Sequence, residues 1–326
     1  MSEKLSERKS PGEYEWQVTE KIRETHDTFT YTLTPISASQ RFDFGVGQFV
    51  TLSAMLKRPI ASGSFEESIV NRAYSIASSP TRDHIELTIK EEKPYGYINP
   101  ATGKSDAFAA YFNQQVKIGD KIKLKLNPSK EHFLSKVDSG IEKNIAYWSG
   151  ANGAQSARCL IQYMEDTKDP EQNLVLFYSN TKLGKDGASE VINSEHHPVE
   201  SLNVIYYHWL IDAAEKLDNL KVIFTFTREQ DIPMASKDSR VVFRKGRFFV
   251  NPDGTPERTL SKYGNNIKTS FNPVCGSSAF INGTVRLPDG TINKGKGILQ
   301  NLIELEGIMP EKTDKEQFYL QQVGAN

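Results

Sequence analysis

Three stretches of the chain combine side chains whose types and spacing suit a phosphorylated ligand with a flat ring. The first is Arg72-Ala73-Tyr74-Ser75-Ile76-Ala77-Ser78, shortly after Gly47-Gln48-Phe49-Val50. An arginine can grip a diphosphate with its fork of donors. A tyrosine two residues on, on the same face of a strand, can stack on a flat ring, and the adjoining Ser75 can hydrogen-bond a ring edge. The second stretch is Ser149-Gly150-Ala151-Asn152-Gly153, which joins an apolar strand to a helical segment. Backbone N–H groups at such a helix start can hold a diphosphate. The third is a pair of strand ends, Thr227-Arg228-Glu229 and Val274-Cys275-Gly276-Ser277-Ser278-Ala279. Open α/β sheets place their ligands at that edge. Taken singly, each has a plainer reading: a surface arginine, a tight connection, a cysteine packed in a core.

The segments that must hold these residues follow two patterns. Thr28-Phe29-Thr30-Tyr31-Thr32-Leu33 alternates apolar residues with threonine, and 48–52, 85–89 and 121–126 repeat the alternation, with Gly, Pro, Asn and Asp between them. Helical spacing is scarce in this half apart from 107–115. Short strands separated by turn signals predict an antiparallel barrel or sandwich. After residue 143 the pattern changes: strands at 144–148, 173–178, 221–227 and 273–275 alternate with helical stretches at 156–165, 202–217 and 297–305. In 202–217, Ile205, Trp209 and Ala213 share one face. That order predicts a parallel sheet covered on both faces. Three stretches sit outside the plan: 182–197 and 230–270 are long connections, and 282–296 interrupts a helix. Within the second, Val241–Phe243 and Arg247–Val250 predict a hairpin around Lys245-Gly246, and Asp253-Gly254 and Pro288-Asp289-Gly290 are turn signals.

Composition narrows the function. The 326 residues suffice for two domains, and 40 Lys+Arg against 41 Asp+Glu gives a net charge of -1. No basic excess marks a nucleic-acid binder. The two cysteines, Cys159 and Cys275, cannot supply the ligands of an ordinary iron–sulfur cluster or a Cys-rich zinc site, and no metal site is expected. The first fifteen residues lack the apolar core of a signal peptide, and no apolar run approaches a membrane span. The expectation is a soluble, cytoplasmic protein. His196-His197 in a polar loop reads as a solvated pair rather than a metal ligand. Lys121, Lys123 and Lys125 line one strand face; an acidic carrier could dock there, but a solvated barrel face is the simpler reading.

The order of the motifs is specific. A Gly-Gln-Phe strand, Arg-x-Tyr-Ser, a Gly turn, a Thr-Arg-Glu strand end, Cys-Gly and a C-terminal Glu-x-Phe together resemble the ferredoxin–NADP reductase superfamily. The resemblance implies an antiparallel Greek-key β-barrel that binds FAD over 12–140, then a parallel-sheet, Rossmann-like NAD(P)-binding α/β domain over 141–326. It implies Arg72 as the flavin diphosphate ligand, Tyr74 beside the isoalloxazine, and Ser75 near its reactive nitrogen. Lys90 is a weaker match to a basic diphosphate contact. Gly150, Asn152 and Gly153 fall in the nicotinamide-dinucleotide diphosphate loop, Thr227 and Arg228 on the pair that reads the 2′-phosphate of NADP. Cys275 falls beside the nicotinamide, and Glu316 and Phe318 match the C-terminal acid and aromatic near the flavin.

Departures accompany the match. Ala151, Asn152 and Ser156 replace a glycine, a threonine and a proline of the family's loop. A Gly-x-x-Ser/Thr has become Asp106-Ala107-Phe108-Ala109 or has moved to Gly103-Lys104-Ser105, and Cys-Gly-Pro has become Cys275-Gly276-Ser277. The implied activity is hydride transfer between NADPH (or NADH) and flavin, with Ser75, Cys275 and Glu316 in catalytic roles. Single electrons would pass to or from ferredoxin, flavodoxin or another one-electron carrier. Alternatives are an NADH-dependent reductase subunit serving an oxygenase or cytochrome, and a flavin-binding assembly subunit with a decayed nucleotide site.

Overall fold

The computed structural model describes residues 12–59, 65–91, 108–126, 133–182, 203–228, 239–264, 270–286 and 291–318. Its first half holds β1 (Glu13–Thr25), β2 (Thr28–Pro35), β3 (Phe49–Pro59), β4 (Phe65–Ser75), β5 (Ile85–Lys90) and β6 (Lys121–Leu126), with α1 (Phe108–Gln115) between the last two. The strands pair antiparallel in the order β4-β3-β6-β1-β2-β5, so β6 returns between β1 and β3. A bridge between Ile76 and Leu87 joins the end of β4 to β5 and closes the sheet into a barrel. Val18, Tyr31, Leu33, Val50, Leu52, Leu87 and Leu124 fill it, capped at one end by Phe108 and Phe112 of α1. The four strands expected from alternation are present. β1 is less legible because two register breaks, at Val18/Glu20 and Arg23/Thr25, interrupt its period.

Register also bears on the lysine stripe. Lys125 lies opposite Glu13 and Lys123 opposite Glu15. Cross-strand acids balance this face, as a solvated surface requires.

A short helix, α2 (Ser135–Asp138), leads into the second half. There β7 (Asn144–Gly150), α3 (Ala154–Thr167), β8 (Asn173–Asn180), α4 (Tyr207–Lys216), β9 (Leu220–Phe226), β10 (Val241–Lys245), α5 (Thr259–Tyr263) and β11 (Asn272–Ser277) follow in turn. α6 (Ser278–Asn282), β12 (Thr284–Arg286), β13 (Ile292–Lys294), α7 (Ile298–Glu304) and β14 (Thr313–Phe318) complete it. Six strands form one parallel sheet, β10-β9-β8-β7-β11-β14. Strand alternation separates two cores. Tyr147, Leu176, Tyr178, Val222 and Phe224 face α3 and α4. Trp148, Phe177, Ile223 and Val274 face α5 and α7. Trp148 lies flat on Phe177 with centroids 3.9 Å apart.

Two expectations are corrected here, the partner of Val241–Phe243 and the start of the helix at 202–217, and a third is extended. Val241–Phe243 forms no hairpin with Arg247–Val250: β10 pairs parallel with β9, extending the buried sheet, and Val250 instead bridges Pro256. The expected interruption lies between α6 and α7 and holds β12 and β13, paired antiparallel. Helix α4 begins at Tyr207, later than its periodicity suggests, because Tyr206 adopts φ 62 and turns the chain. The Asp253-Gly254 turn is present, with Gly254 N–H donating to Asn251 O. His196-His197, Pro288-Asp289-Gly290, Glu229 and residues 103–107 lie outside the described residues. Among the described residues no helix is long and apolar enough to cross a membrane.

The halves meet along α3 and β5. Arg158 and Gln162 both donate to Glu86 Oε2, at 2.9 and 3.2 Å, and Gln155 donates to Thr88 O at 2.7 Å. Ser79 N–H donates to Gln162 Oε1, and Thr88 bonds to the Tyr206 hydroxyl. This seam fixes the barrel against α3 and the residue that precedes α4.

Candidate functional site

The strand order reverses beside β7: β8 leaves it on one side and β11 on the other. A crevice forms at the carboxyl ends of strands where such a reversal occurs. A cleft of about 360 Å³ opens there, lined by Lys90 of the barrel with Gly150, Ala151, Ser179, Asn180, Thr181, Lys182, Asn203, Thr227, Ser277 and Phe280. No carboxylate is among these residues, and two are lysines. That lining suits an anion, although Lys90 Nζ already has Asp27 Oδ2 3.9 Å away.

The turn at its floor has an unusual backbone. Gly150 ends β7 extended, and Ala151 has φ 48, in the left-handed region that disfavours a side chain. Ala151 therefore adopts a conformation that glycine enters at lower cost. Two buried tyrosines fix the turn: Tyr178 Oη donates to Ala151 O at 3.2 Å and Tyr147 Oη to Gly153 O at 3.1 Å. Burial pushes the Tyr178 hydroxyl well above the usual phenol range, which keeps it a donor. Gly153 is required by a close approach, since a Cβ there would fall 2.4 Å from Cys275 O.

Several buried polar atoms around the turn await a partner. Asn180 is 7% exposed, lines the cleft, and its Nδ2 has no hydrogen-bond partner among the described residues. Asn152 Oδ1 and Ser149 Oγ are in the same state. A buried amide donor left unmade costs about 1–3 kcal/mol, and an anion in the cleft would satisfy Asn180. With Lys90, Lys182 and the Gly150-Ala151 turn lining the same cleft, the donor set fits a nucleotide diphosphate.

The barrel residues form a second cluster. Val70, Arg72 and Tyr74 alternate onto the inner face of β4. Val70 is buried, whereas Arg72 and Tyr74 are half-buried, so the barrel mouth is open at these two. Arg72 Nη1 donates to Asn71 O at 2.8 Å, and the Tyr74 ring lies 6.0 Å from Phe108. Ser75, buried, ends the strand opposite Phe49. A guanidinium, a ring and a hydroxyl at one mouth fit a flavin with its diphosphate.

The structure thus brings Lys90, Gly150 and Thr227 into one cleft and Arg72, Tyr74 and Ser75 onto one strand end. Arg228 is exposed and lies outside the cleft lining. Cys275 is fully buried in the core that faces α3 and α4, beside Ser149 of β7. Glu316 and Phe318 sit on β14 opposite Cys275 and Ser277 in register, their side chains outside the described residues. Asn180, Lys182 and Phe280 went unread in the sequence. The first two end β8 as Thr227 follows β9, so the strand-end rule that found Thr227 applied equally to them. Phe280, five residues past Cys275, carries no such signal.

Comparison with known proteins bears on the fold and on the barrel half. Residues 15–130 match the family model described as oxidoreductase FAD-binding domain. No curated protein sequence matches the chain. Among solved structures, the chain resembles the FAD/NAD-binding domain of a nitric oxide dioxygenase from Vibrio cholerae, with 14% identity and TM-score 0.58, over 94% of this chain and 98% of that one. It resembles a ferredoxin NADP+ reductase from Neisseria gonorrhoeae, solved with FAD and NADP, with 14% identity and TM-score 0.56, over 94% and 98%. A cytochrome P450 reductase from Amycolatopsis is similar at 14% identity and TM-score 0.57, over 94% of this chain and 70% of that one.

Proposed function

We propose that this chain, a divergent member of the ferredoxin–NADP reductase superfamily with an FAD-binding barrel, moves a hydride between NAD(P)H and FAD and exchanges single electrons with a separate carrier. The observation that carries the reading is the anion-suited cleft between barrel and sheet, where Lys90 of β5 meets Gly150 and the buried, unpartnered Asn180 amide. We divide the chain at 140/141 into a flavin domain and a nucleotide domain.

Bound FAD would supply the two-electron to one-electron conversion. The chain's own residues do the rest. Arg72 neutralises the flavin diphosphate, Tyr74 packs on the ring, and Ser75 donates a hydrogen bond at its edge. Lys90, Lys182, Asn180 and the α3 start hold the nucleotide diphosphate. The seam through Arg158 and Glu86 fixes the approach of the two sites, and such alignment is worth orders of magnitude in rate. Cys275 and Glu316, adjacent in register on β11 and β14, are the residues we assign to the nicotinamide end of the site. Ferredoxin, flavodoxin or a haem protein is the acceptor class, since the chain lacks iron–sulfur ligands. The exposure of Arg228 favours a second reading, an NADH-dependent reductase serving an oxygenase or cytochrome.

The test is rapid mixing of the yellow holoprotein with NADPH and with NADH, followed by flavin absorbance. Bleaching by either supports the reading, and the faster one names the donor. Flavin that stays oxidised with both would leave a flavin-binding assembly subunit instead. Arg72→Ala should weaken FAD retention by about 1.5–3 kcal/mol, the worth of a charge-assisted contact. A protein that cannot take up FAD at all would overturn the assignment of Arg72, Tyr74 and Ser75.

A further inference from the structure

Among the described residues, Phe280 is the one aromatic in the cleft lining, and its ring is held by backbone on one side. A Cβ built on Gly150 would lie 2.9 Å from Phe280 Cγ and 3.1 Å from both Cδ1 and Cδ2. Near-equal distances to three ring atoms place Gly150 over one face of the ring. A Cβ on Gly276 would lie 2.8 Å from Cδ1. Two glycines on neighbouring strands, β7 and β11, therefore form a bed for the ring, while the half-buried side chain still borders the cleft.

The ring is also anchored. Phe280 N–H donates to Ser277 Oγ at 3.3 Å, and the next residue, Ile281, is fully buried. Just beyond, the β12–β13 hairpin returns to its own base, with Gly295 N–H donating to Gly283 O at 2.8 Å. A Cβ on Gly297 would meet Ile281 O at 2.3 Å, so α6 is clamped from behind. The insertion at 282–296 thus closes the segment that carries Phe280 and restrains the ring from swinging out of its bed.

A fixed aromatic face beside an anion-binding cleft suits a ligand with phosphates at one end and a flat ring at the other. The face of a benzene ring carries negative potential and attracts cations. We propose that Phe280 is a specificity-determining platform that packs against the ring end of the nucleotide and favours the positively charged oxidised pyridinium over the neutral reduced ring. This rests on the nucleotide reading above and adds to it a preference between redox states.

The experiment titrates the holoprotein with NADP+ and with tetrahydro-NADP, a neutral and redox-inert relative of the reduced form, by calorimetry. Phe280→Leu keeps an apolar side chain of similar size and removes the π face. It should weaken NADP+ binding roughly three- to tenfold, the range of an exposed to partly desolvated cation–π contact. Tetrahydro-NADP binding should change less than about twofold on the same reasoning, and Phe280→Tyr should retain the wild-type preference. Equal losses for both ligands, or no loss for either, would overturn the proposal while leaving nucleotide binding intact. Wild-type protein that bound neither these ligands nor NAD+ and tetrahydro-NAD would overturn both together.

Discussion

Arg158 of α3 donates from Nε to Glu86 Oε2 of β5 at 2.9 Å, an ion pair buried where the barrel meets the parallel sheet. Its guanidinium also lies over the Tyr206 and Trp209 rings, 4.7 and 4.6 Å from their centroids. The pair is thus braced by aromatic residues of the loop and helix that follow β8. Removing one partner of a buried pair leaves an uncompensated charge, whereas removing both does not.

Arg158→Met should therefore destabilise the protein by about 3–5 kcal/mol in denaturant unfolding. The double variant with Glu86→Gln should lose clearly less than the single one. Equal losses would mean that the seam is held by packing and not by charge.

The same carboxylate sets an acid limit. Burial alone would raise the Glu86 pKa, but the His84 imidazole 3.8 Å away and the charge and hydrogen bond of Arg158 outweigh it and hold the group down at about 2. A depressed carboxyl contributes stability that is complete above its unfolded value of 4.5 and is lost as pH falls towards 2. That difference corresponds to about 3 kcal/mol. Glu24 nearby has the opposite sign, raised by burial, so the comparison must isolate Glu86. The stability of Glu86→Gln should fall less steeply between pH 4.5 and 2 than that of wild type. Parallel curves would remove Glu86 from the acid response.

Much of this fold was legible because side-chain alternation reports burial directly. Tyr31 and Leu33 on β2, or Tyr147 and Trp148 on β7, reveal which faces are covered. β10 was misassigned because Val241-Val242-Phe243 beside Lys245-Gly246 satisfies the local chemistry of a hairpin. Its real partner, β9, pairs with it through Val222, and no local signal distinguishes parallel from antiparallel pairing. The site was legible where glycine and arginine carry the signal. It was not legible at Asn180, whose significance is a buried amide without a partner, a property of packing and not of sequence.

Ala151 offers a test of the turn. A non-glycine residue in the left-handed region costs about 1–2 kcal/mol, and glycine's greater freedom in the unfolded chain returns roughly 0.5–1 kcal/mol of that. Ala151→Gly should raise the thermal midpoint slightly, by a net of up to about 1 kcal/mol. Ala151→Val, β-branched at the same φ, should lower it. A loss on Ala151→Gly would contradict the left-handed turn.

The last prediction concerns which side chain meets the nucleotide's extra phosphate. The resemblance assigns that task to Thr227 and Arg228, but only Thr227 lines the cleft. Its neighbour across the strand ends is the β8 side: Thr227 N–H donates to Asn180 O and Arg228 N–H to Thr181 O, both at 2.9 Å. Lys182 follows directly on that side and lines the cleft, whereas Arg228 is exposed. An ammonium in the cleft attracts phosphate as a point charge, while a guanidinium in water is screened and gives up side-chain entropy to bind. Lys182→Ala should thus lose about 1.5–3 kcal/mol with NADPH, roughly ten- to a hundredfold in affinity. Arg228→Ala should lose less than about 1 kcal/mol, as an exposed pair does. With NADH, the Lys182→Ala loss separates the two phosphate groups. A loss confined to NADPH assigns Lys182 to the 2′-phosphate, and an equal loss assigns it to the diphosphate. A larger effect at Arg228 than at Lys182 would show that Arg228 folds into the cleft when the nucleotide binds, and would restore the family's assignment.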